Sequence, residues 1–591
     1  MRLDHPQLSP DVNRYRRVPG GLADLPRTPH QLVQPPADPE HPYRMTHTGL
    51  FTDVLHDESG AERPYAFYIP TTMKTSGNMA LVFLPSGEEP TAFFHASSWK
   101  ESLERHCMTA YFLSAPKGWQ QENPGLEVDA ATRVLGEMRS MEYFPSNAPS
   151  VYCFGFGDGA AMATIFTVIH SSVFAAFAAW GSTEIDGELL DYLGRAPSDC
   201  DPYLTRSEIP MPAFLIGEPS NAGRYFKKAA RVREEYLFNG FARVFRQQRR
   251  IGESCLNDTA CCEVWLSEEK DAAILGRDVL IEKMVAFAED YKRWGGEGNP
   301  DLRRTEHMDA DPDMKRTDIT VDGLKRFWYT YEPTAYKRGM KTKYPLVIAI
   351  HGFSCSAEFF AENSGWAKVA EERGCLVVFP NAYPFDAALM GGGTRTMRDI
   401  AATPHWNAQG NPAENGPNEI TFFRRLLEVV EESYPIDTER VYVTGHSNGS
   451  MMTQLLMRHW PAPFAGFAPV GFMEARTGAL PAPTDGIIRN PWYVMGEYDI
   501  HTSSLEGDNP NTRTLKMICE TDHLDYAGAR RFDCGIYENT IFSTANRVPL
   551  VRYTSVRNWP HTYTPELAFM VYDEWFSRYV RHENGELEYL G

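Results

Sequence analysis

Short apolar runs alternate with longer amphipathic ones along most of the chain. In the C-terminal half the runs are Arg326–Tyr331, Leu346–Ile350, Leu376–Phe379, Val441–Thr444, Trp492–Met495 and Leu550–Ser555. They are short, rich in β-branched residues, and carry no regular polar alternation, the pattern of strands covered on both faces. The first precedes any clear helix and is expected to pair antiparallel. Between them lie the helical segments Ser364–Arg373, Glu419–Ser433, Gly449–His459 and Pro565–Arg578. Strands alternating with helices predict an α/β fold built on a mainly parallel sheet flanked by helices.

The same pattern occurs twice. Arg63–Pro70 (RPYAFYIP) resembles Arg326–Pro333 (RFWYTYEP), and Ala80–Gly87 (ALVFLPSG) resembles Pro345–Gly352 (PLVIAIHG). Phe93, Phe94 and Trp99 answer to Phe359, Phe360 and Trp366. Val151–Gly159 (VYCFGFGDG) matches Val441–Gly449 (VYVTGHSNG), and Pro212–Glu218 matches Pro491–Glu497. The order is kept while the offset widens slowly, as for a duplicated domain with loop insertions. The expected organisation is an extended arm over 1–45, a first domain over 46–295, a charged linker over 296–317 and a second domain over 318–591.

One motif carries chemistry. Gly445-His446-Ser447-Asn448-Gly449 is G-x-S-x-G between a predicted strand and a predicted helix. That context suits a nucleophile on a tight strand-to-helix turn, where small neighbours let the chain pack closely. The helix N-terminus behind Ser447 offers N–H groups to a developing oxyanion. A serine nucleophile needs a base, and the base an orienting acid, in the chain order Ser, Asp or Glu, His. Asp499 follows the strand Trp492–Met495 and is the candidate acid, with Glu497 and Asp508 as spares. His561 follows the last strand and is the candidate base, with His446, His501 and His523 as rivals. For the oxyanion hole the backbone N–H of Asn448 is one donor. The other belongs to Phe353 or Ser354, after His351-Gly352, and Phe353 is preferred. His351 is read as bracing that loop.

Composition narrows the setting. The chain has 591 residues, 42% hydrophobic and 23% charged, with a net charge of −20. This excludes a disordered, collagen-like or coiled-coil chain. An acidic surface argues against nucleic acid and against anionic membranes. No run approaches the roughly 20 apolar residues that cross a bilayer. The N-terminus shows no apolar signal region, so a cytoplasmic location is expected, or a secreted one if a leader was removed upstream. The ten cysteines form no C-x-x-C pair. The group Cys255, Cys261 and Cys262 is read as free thiols. No metal or cofactor is expected.

At these residues the second half resembles the polyhydroxybutyrate depolymerase and feruloyl esterase group of α/β-hydrolases. The resemblance is carried by His351-Gly352 with Phe360 and Ser364-Gly365-Trp366, by Phe379-Pro380, by His405-Trp406-Asn407, by Ile436–Thr453 and by Phe464–Val470. It implies two α/β-hydrolase-type domains and hydrolysis of short hydroxyacyl or aromatic esters, with a small or oligomeric ester as substrate. It also implies that Trp406, with His446, contacts substrate. The loop after His351-Gly352 reads Phe-Ser-Cys-Ser, whereas the family more usually has cysteine directly after the glycine.

In the first half Gly157 stands where Ser447 stands, a residue near Ser220 replaces Asp499, and no histidine occurs between Cys261 and Trp294. The first domain is therefore expected to be a catalytically dead copy packed with the second. Gly155-x-Gly157-x-x-Ala160 also fits a dinucleotide pattern, but that pattern belongs at the first strand of its unit. Taken together, the expectation is a serine esterase working through an acyl-enzyme. The alternatives are a peptidase or acyltransferase of the same build, or a binding protein without catalysis.

Overall fold

The computed structural model describes residues 15–17, 42–43, 48–57, 62–73, 77–121, 124–139, 146–198, 204–248, 261–294, 301–385, 404–408, 416–473, 485–499 and 502–591. The chain divides into two compact units between Glu306 and His307, with Tyr43 counted in the second.

The first unit is built on an eleven-stranded sheet. Its strands are Tyr15–Arg17 (β1), Gly49–Asp57 (β2), Glu62–Ile69 (β3), Gly77–Phe83 (β4), Met108–Leu113 (β5), Ser146–Gly157 (β6), Ala176–Gly181 (β7), Ala213–Ile216 (β8), Val232–Phe238 (β9), Arg243–Gln247 (β10) and Glu263–Ser267 (β11). They lie in the order β1-β2-β3-β5-β4-β6-β7-β8-β11-β10-β9. Helices Gly125–Arg139 (α1) and Gly159–Ile169 (α2) flank it. A small antiparallel pair, Tyr291–Trp294 (β12) with Asp301–Arg304 (β13), closes the unit.

The second unit is built on a ten-stranded sheet. Its strands are Met314–Val321 (β14), Leu324–Tyr331 (β15), Tyr344–Ile350 (β16), Leu376–Pro380 (β17), Ile436–His446 (β18), Gly466–Val470 (β19), Trp492–Tyr498 (β20), Arg530–Cys534 (β21), Tyr537–Ser543 (β22) and Pro549–Pro560 (β23). The order is β14-β15-β17-β16-β18-β19-β20-β23-β22-β21. From β2 onward the first sheet has this same order, strand for strand, with the same parallel and antiparallel pairings. The two outer strands at each end run antiparallel and the middle is parallel; the sequence reading anticipated the parallel middle and the antiparallel β15, but not β14 or the β21–β22 hairpin.

Strand β16 explains the layering. Its alternate residues feed two separate cores: Val347 and Ala349 face one, Leu346, Ile348 and Ile350 the other. Helices Ala357–Ser364 (α3), Trp366–Arg373 (α4) and Pro565–Glu574 (α8) cover the first face through residues such as Phe360, Trp366 and Phe569. Glu419–Ser433 (α5) and Asn448–His459 (α6) cover the second through Phe422, Leu426 and Met452. A further helix, Pro510–Thr521 (α7), precedes the β21–β22 hairpin.

Two expectations are corrected here. Ser364–Arg373 is not one helix: the chain breaks at Gly365, whose φ of +78° is left-handed. A Cβ there would lie 2.5 Å from the Cα of Pro565. The charged stretch 296–317 is not a plain linker, because Asp301–Arg304 pairs with β12 and Met314 opens β14. Its sparse apolar residues, Leu302, Met308 and Met314, are buried anchors; Arg303 is buried beside them and Arg304 pairs with Glu263 and Asp290, while Glu306 and Asp309 are exposed. Of the 1–45 arm, only residues 15–17 and 42–43 lie within the described residues. The dinucleotide pattern falls at the end of β6, well inside its sheet.

Candidate active site

Strand β18 runs straight into α6, and Ser447 is the turn between them, at φ 55° and ψ −114°. A non-glycine residue in that region is strained and stays there only when its surroundings force it. The glycines on either side supply the force. A Cβ on Gly445 would lie 2.3 Å from the carbonyl oxygen of Gly449, and one on Gly449 would lie 2.3 Å from that of Ile350. Strand and helix can meet this closely only through glycine. The Ser447 N–H donates to the Val470 carbonyl at the end of β19 (2.8 Å), which fixes the turn against the next strand.

The loop after β16 lies beside the serine, and a Cβ on Gly352 would stand 3.4 Å from Ser447 Cβ. Of the two candidate oxyanion donors in this loop, Phe353 and Ser354, the Ser354 N–H donates to the Pro404 carbonyl (3.0 Å). Asn448 opens α6, where the first backbone N–H groups have no partner within the helix. His351 is fully buried and its Nε2 accepts from the Ala382 N–H at 3.0 Å. Burial pushes its pKa down to about 4, so it is a neutral brace for the loop.

The candidate acid and base come from neighbouring strand ends. Strands β20 and β23 are parallel partners, and their register shifts between Gly496 and Tyr498. Gly496 packs directly on the β23 backbone: a Cβ there would lie 2.4 Å from the Trp559 carbonyl oxygen. This brings Asp499, just past β20, to His561, just past β23, with Asp499 Oδ1 2.8 Å from His561 Nδ1. The Asp499 side chain is 1% exposed and that of His561 is 23% exposed. A carboxylate only accepts, so Nδ1 carries the proton and Nε2 presents its lone pair. The His561 loop is pinned two residues on by Tyr563. That hydroxyl accepts from the Trp366 indole N–H (2.9 Å) and lies 3.3 Å from Thr444 Oγ1 on β18.

His446 flanks His561, with ring centroids 4.6 Å apart. Burial, and secondarily the neighbouring His561, hold its pKa well below the usual histidine value. Its Nε2 is buried against Gly471, whose φ of +75° and missing Cβ leave room for both rings. No sequence pattern marked Gly471. The other rivals fall away: Glu497 and His523 are exposed, and Asp508 pairs with Arg513 on the surface. His501 lies outside the described residues.

Trp406 differs from its expectation. It is fully buried and packs as a core residue rather than lining an open surface. Its indole N–H donates to the His351 carbonyl (2.9 Å) and its ring packs on Phe422 and Phe423. Among the described residues no group of three or more His, Cys, Asp or Glu could hold a metal ion, and no helix is long and apolar enough to cross a membrane.

No protein-family model matches the chain. Among curated proteins it is 22% identical over 251 residues to poly(3-hydroxyalkanoate) depolymerase C of Paucimonas lemoignei, covering 38% of this chain and 56% of the relative. It is 26% identical over 203 residues to acetylxylan esterase A of Aspergillus oryzae, covering 34% and 56%. It is 26% identical over 195 residues to the bifunctional acetylxylan esterase/xylanase XynS20E of Neocallimastix patriciarum, covering 32% and 24%. The chain thus spans about half or less of the length of these relatives. Among solved structures, the acetyl xylan esterase of Aspergillus awamori matches at 17% identity and a TM-score of 0.33, over 44% of this chain and 99% of that one. The poly(3-hydroxybutyrate) depolymerase LpqC of Bordetella parapertussis matches at 16% and 0.28, over 46% and 93%. Over about a third of its length the chain is similar in sequence to polyhydroxyalkanoate depolymerases and acetylxylan esterases, and its two sheets are mainly parallel in the middle and flanked by helices.

Proposed function

We propose that the second unit is a serine ester hydrolase and that Ser447, His561 and Asp499 are its triad. The observation that carries this is the 2.8 Å Asp499–His561 pair on the rim of the sheet where the strained Ser447 turn also stands. Ser447 Oγ attacks the ester carbonyl while His561 Nε2 takes its proton. The N–H groups of Asn448 and Phe353 stabilise the tetrahedral oxyanion. His561 returns the proton to the leaving alcohol, and the acyl group stays on Ser447. Water then attacks the acyl-enzyme by the same steps in reverse role, releasing the acid. Asp499 keeps the imidazole in the required tautomer and stabilises its charged form.

The names of the relatives support an acyl group that is small: a hydroxyalkanoyl unit or acetate, with aromatic acyl groups as the third candidate. The test is hydrolysis of p-nitrophenyl acetate, butyrate and octanoate, methyl ferulate and a hydroxybutyrate oligomer by the full chain. Turnover that falls steeply from acetate to octanoate is expected. Turnover highest on octanoate would contradict a small acyl site.

The first unit is, in this reading, an inactive copy of the second. Three things support it. The strand order is shared. Gly157, at φ +59°, occupies the turn that Ser447 occupies. A buried constellation recurs: Arg63 pairs with Glu127 on α1 as Arg326 pairs with Glu419 on α5. In each unit a tryptophan ahead of that helix donates its indole N–H to a carbonyl at the end of the central strand, Trp119 to Leu84 and Trp406 to His351. The residue after each tryptophan turns its backbone N–H to the buried glutamate.

A further inference from the structure

Resting on the triad reading above, we propose that the Asn448 carboxamide and Trp406 form a positioning lock that sets the oxyanion hole. Asn448 is 3% exposed, and both ends of its carboxamide are spent on the backbone of Trp406. Its Oδ1 accepts the Trp406 N–H at 2.6 Å, and its Nδ2 donates to the Trp406 carbonyl at 3.1 Å. A carboxamide is the neutral side chain that can both give and take in one plane, as a peptide does. The same short segment holds the opposite side of the hole. The Trp406 indole N–H reaches the His351 carbonyl, and the Pro404 carbonyl accepts from Ser354. Residues 404–406 therefore tie the helix end that carries the Asn448 N–H to the loop that carries the Phe353 N–H. Behind them, Asn407 N–H donates to Glu419, which Arg326 pairs at 2.7 Å.

The first unit separates what the fold needs from what the chemistry needs. It keeps the arginine, the glutamate and the tryptophan. It lacks the lock. Asp158, in the place of Asn448, sends its carboxylate to Ser86, accepting from the N–H at 2.7 Å and from the hydroxyl. The Trp119 N–H donates instead to Ser86 Oγ at 3.2 Å. An anion sits on the loop amide at the point where an oxyanion hole would need free donors. Trp, Arg and Glu go with the fold in both units, and the carboxamide lock goes with the unit that has the serine.

Asn448→Ala and Asn448→Asp are compared with wild type, Ser447→Ala and Phe464→Leu in the full chain, on p-nitrophenyl acetate. The second readout is inhibition by a short-chain trifluoromethyl ketone, whose adduct with serine carries an oxyanion. Asn448→Ala is expected to lower kcat about 10- to 100-fold with KM changed less than about threefold, and to weaken the ketone by the same factor as kcat. Asn448→Asp, nearly isosteric and placing a carboxylate as in the first unit, is expected to do at least as much. Phe464→Leu removes ring packing on Trp460 and Phe467 from the same core, away from Trp406, and is expected to lower the thermal midpoint while leaving kcat unchanged. Asn448 variants with wild-type kcat and ketone affinity, beside a dead Ser447→Ala, would overturn the lock alone. So would a Phe464→Leu that loses as much kcat as Asn448→Ala. Full turnover by Ser447→Ala would overturn the triad and the lock together.

Discussion

At the scale of single residues, the site depends on tautomer and burial. Asp499 holds Nδ1 of His561, so Nε2 is the face left for proton transfer. Asp499→Asn would present an N–H as readily as an oxygen and favour the wrong tautomer. It is expected to lower kcat by roughly 10³- to 10⁴-fold with the protein still folded, measured as ester turnover beside circular dichroism. His351 gives a second handle. In the folded chain it stays neutral down to about 4, against 6.5 for a free imidazole. Between those values the unfolded chain binds more protons, so stability falls as pH falls from 6.5 toward 4, by roughly 3 kcal/mol from this residue. Below the folded value the loss levels off. The thermal midpoint for loss of activity should drop between pH 7.5 and pH 5, and His351→Gln should flatten that drop. A midpoint steeper in the variant than in wild type would contradict it.

At the scale of elements, three glycines make the geometry. Gly445 lets β18 touch α6, Gly449 lets α6 press on the end of β16, and Gly496 lets β20 press on β23. Gly496→Ala would put a Cβ 2.4 Å from a backbone oxygen and must part the strand ends that carry Asp499 and His561. It is expected to cost about 1–3 kcal/mol of stability and most of the activity. Wild-type kcat in Gly496→Ala would show that the strand contact does not set the pair.

This is also the scale at which the sequence was readable, and at which it stopped being so. The elbow was legible because its sterics demand glycine at fixed short spacing. The candidate acid and base stood out in the sequence because each lies just past a strand at the rim of the sheet, although β23 runs on to Pro560, beyond the Ser555 read from the sequence. The Asn448–Trp406 lock was not legible, since its partners are 42 residues apart and one of them bonds through its backbone. For the same reason Trp406 read as a substrate contact: an aromatic residue near an active site looks alike in sequence whether it lines the pocket or braces the wall. Strand β14 was missed because it is exposed and charged on both sides of its pleat.

At the scale of the whole molecule, two units share one topology and differ in chemistry. Ser447 has a histidine and an aspartate at the matching strand ends, whereas Gly157 has neither. A fluorophosphonate is therefore expected to label one equivalent per chain, at Ser447, with no label between Gly49 and Glu306. Labelling of a second serine, in the first unit, would contradict the reading of that unit as an inactive copy.

The most direct test of the central claim is the initial rate of p-nitrophenyl acetate hydrolysis by the wild-type chain and by Ser447→Ala, at equal concentration and with folding checked. The account predicts turnover by the wild type and a loss of at least about 10³-fold in the variant. Equal rates in the two would contradict it.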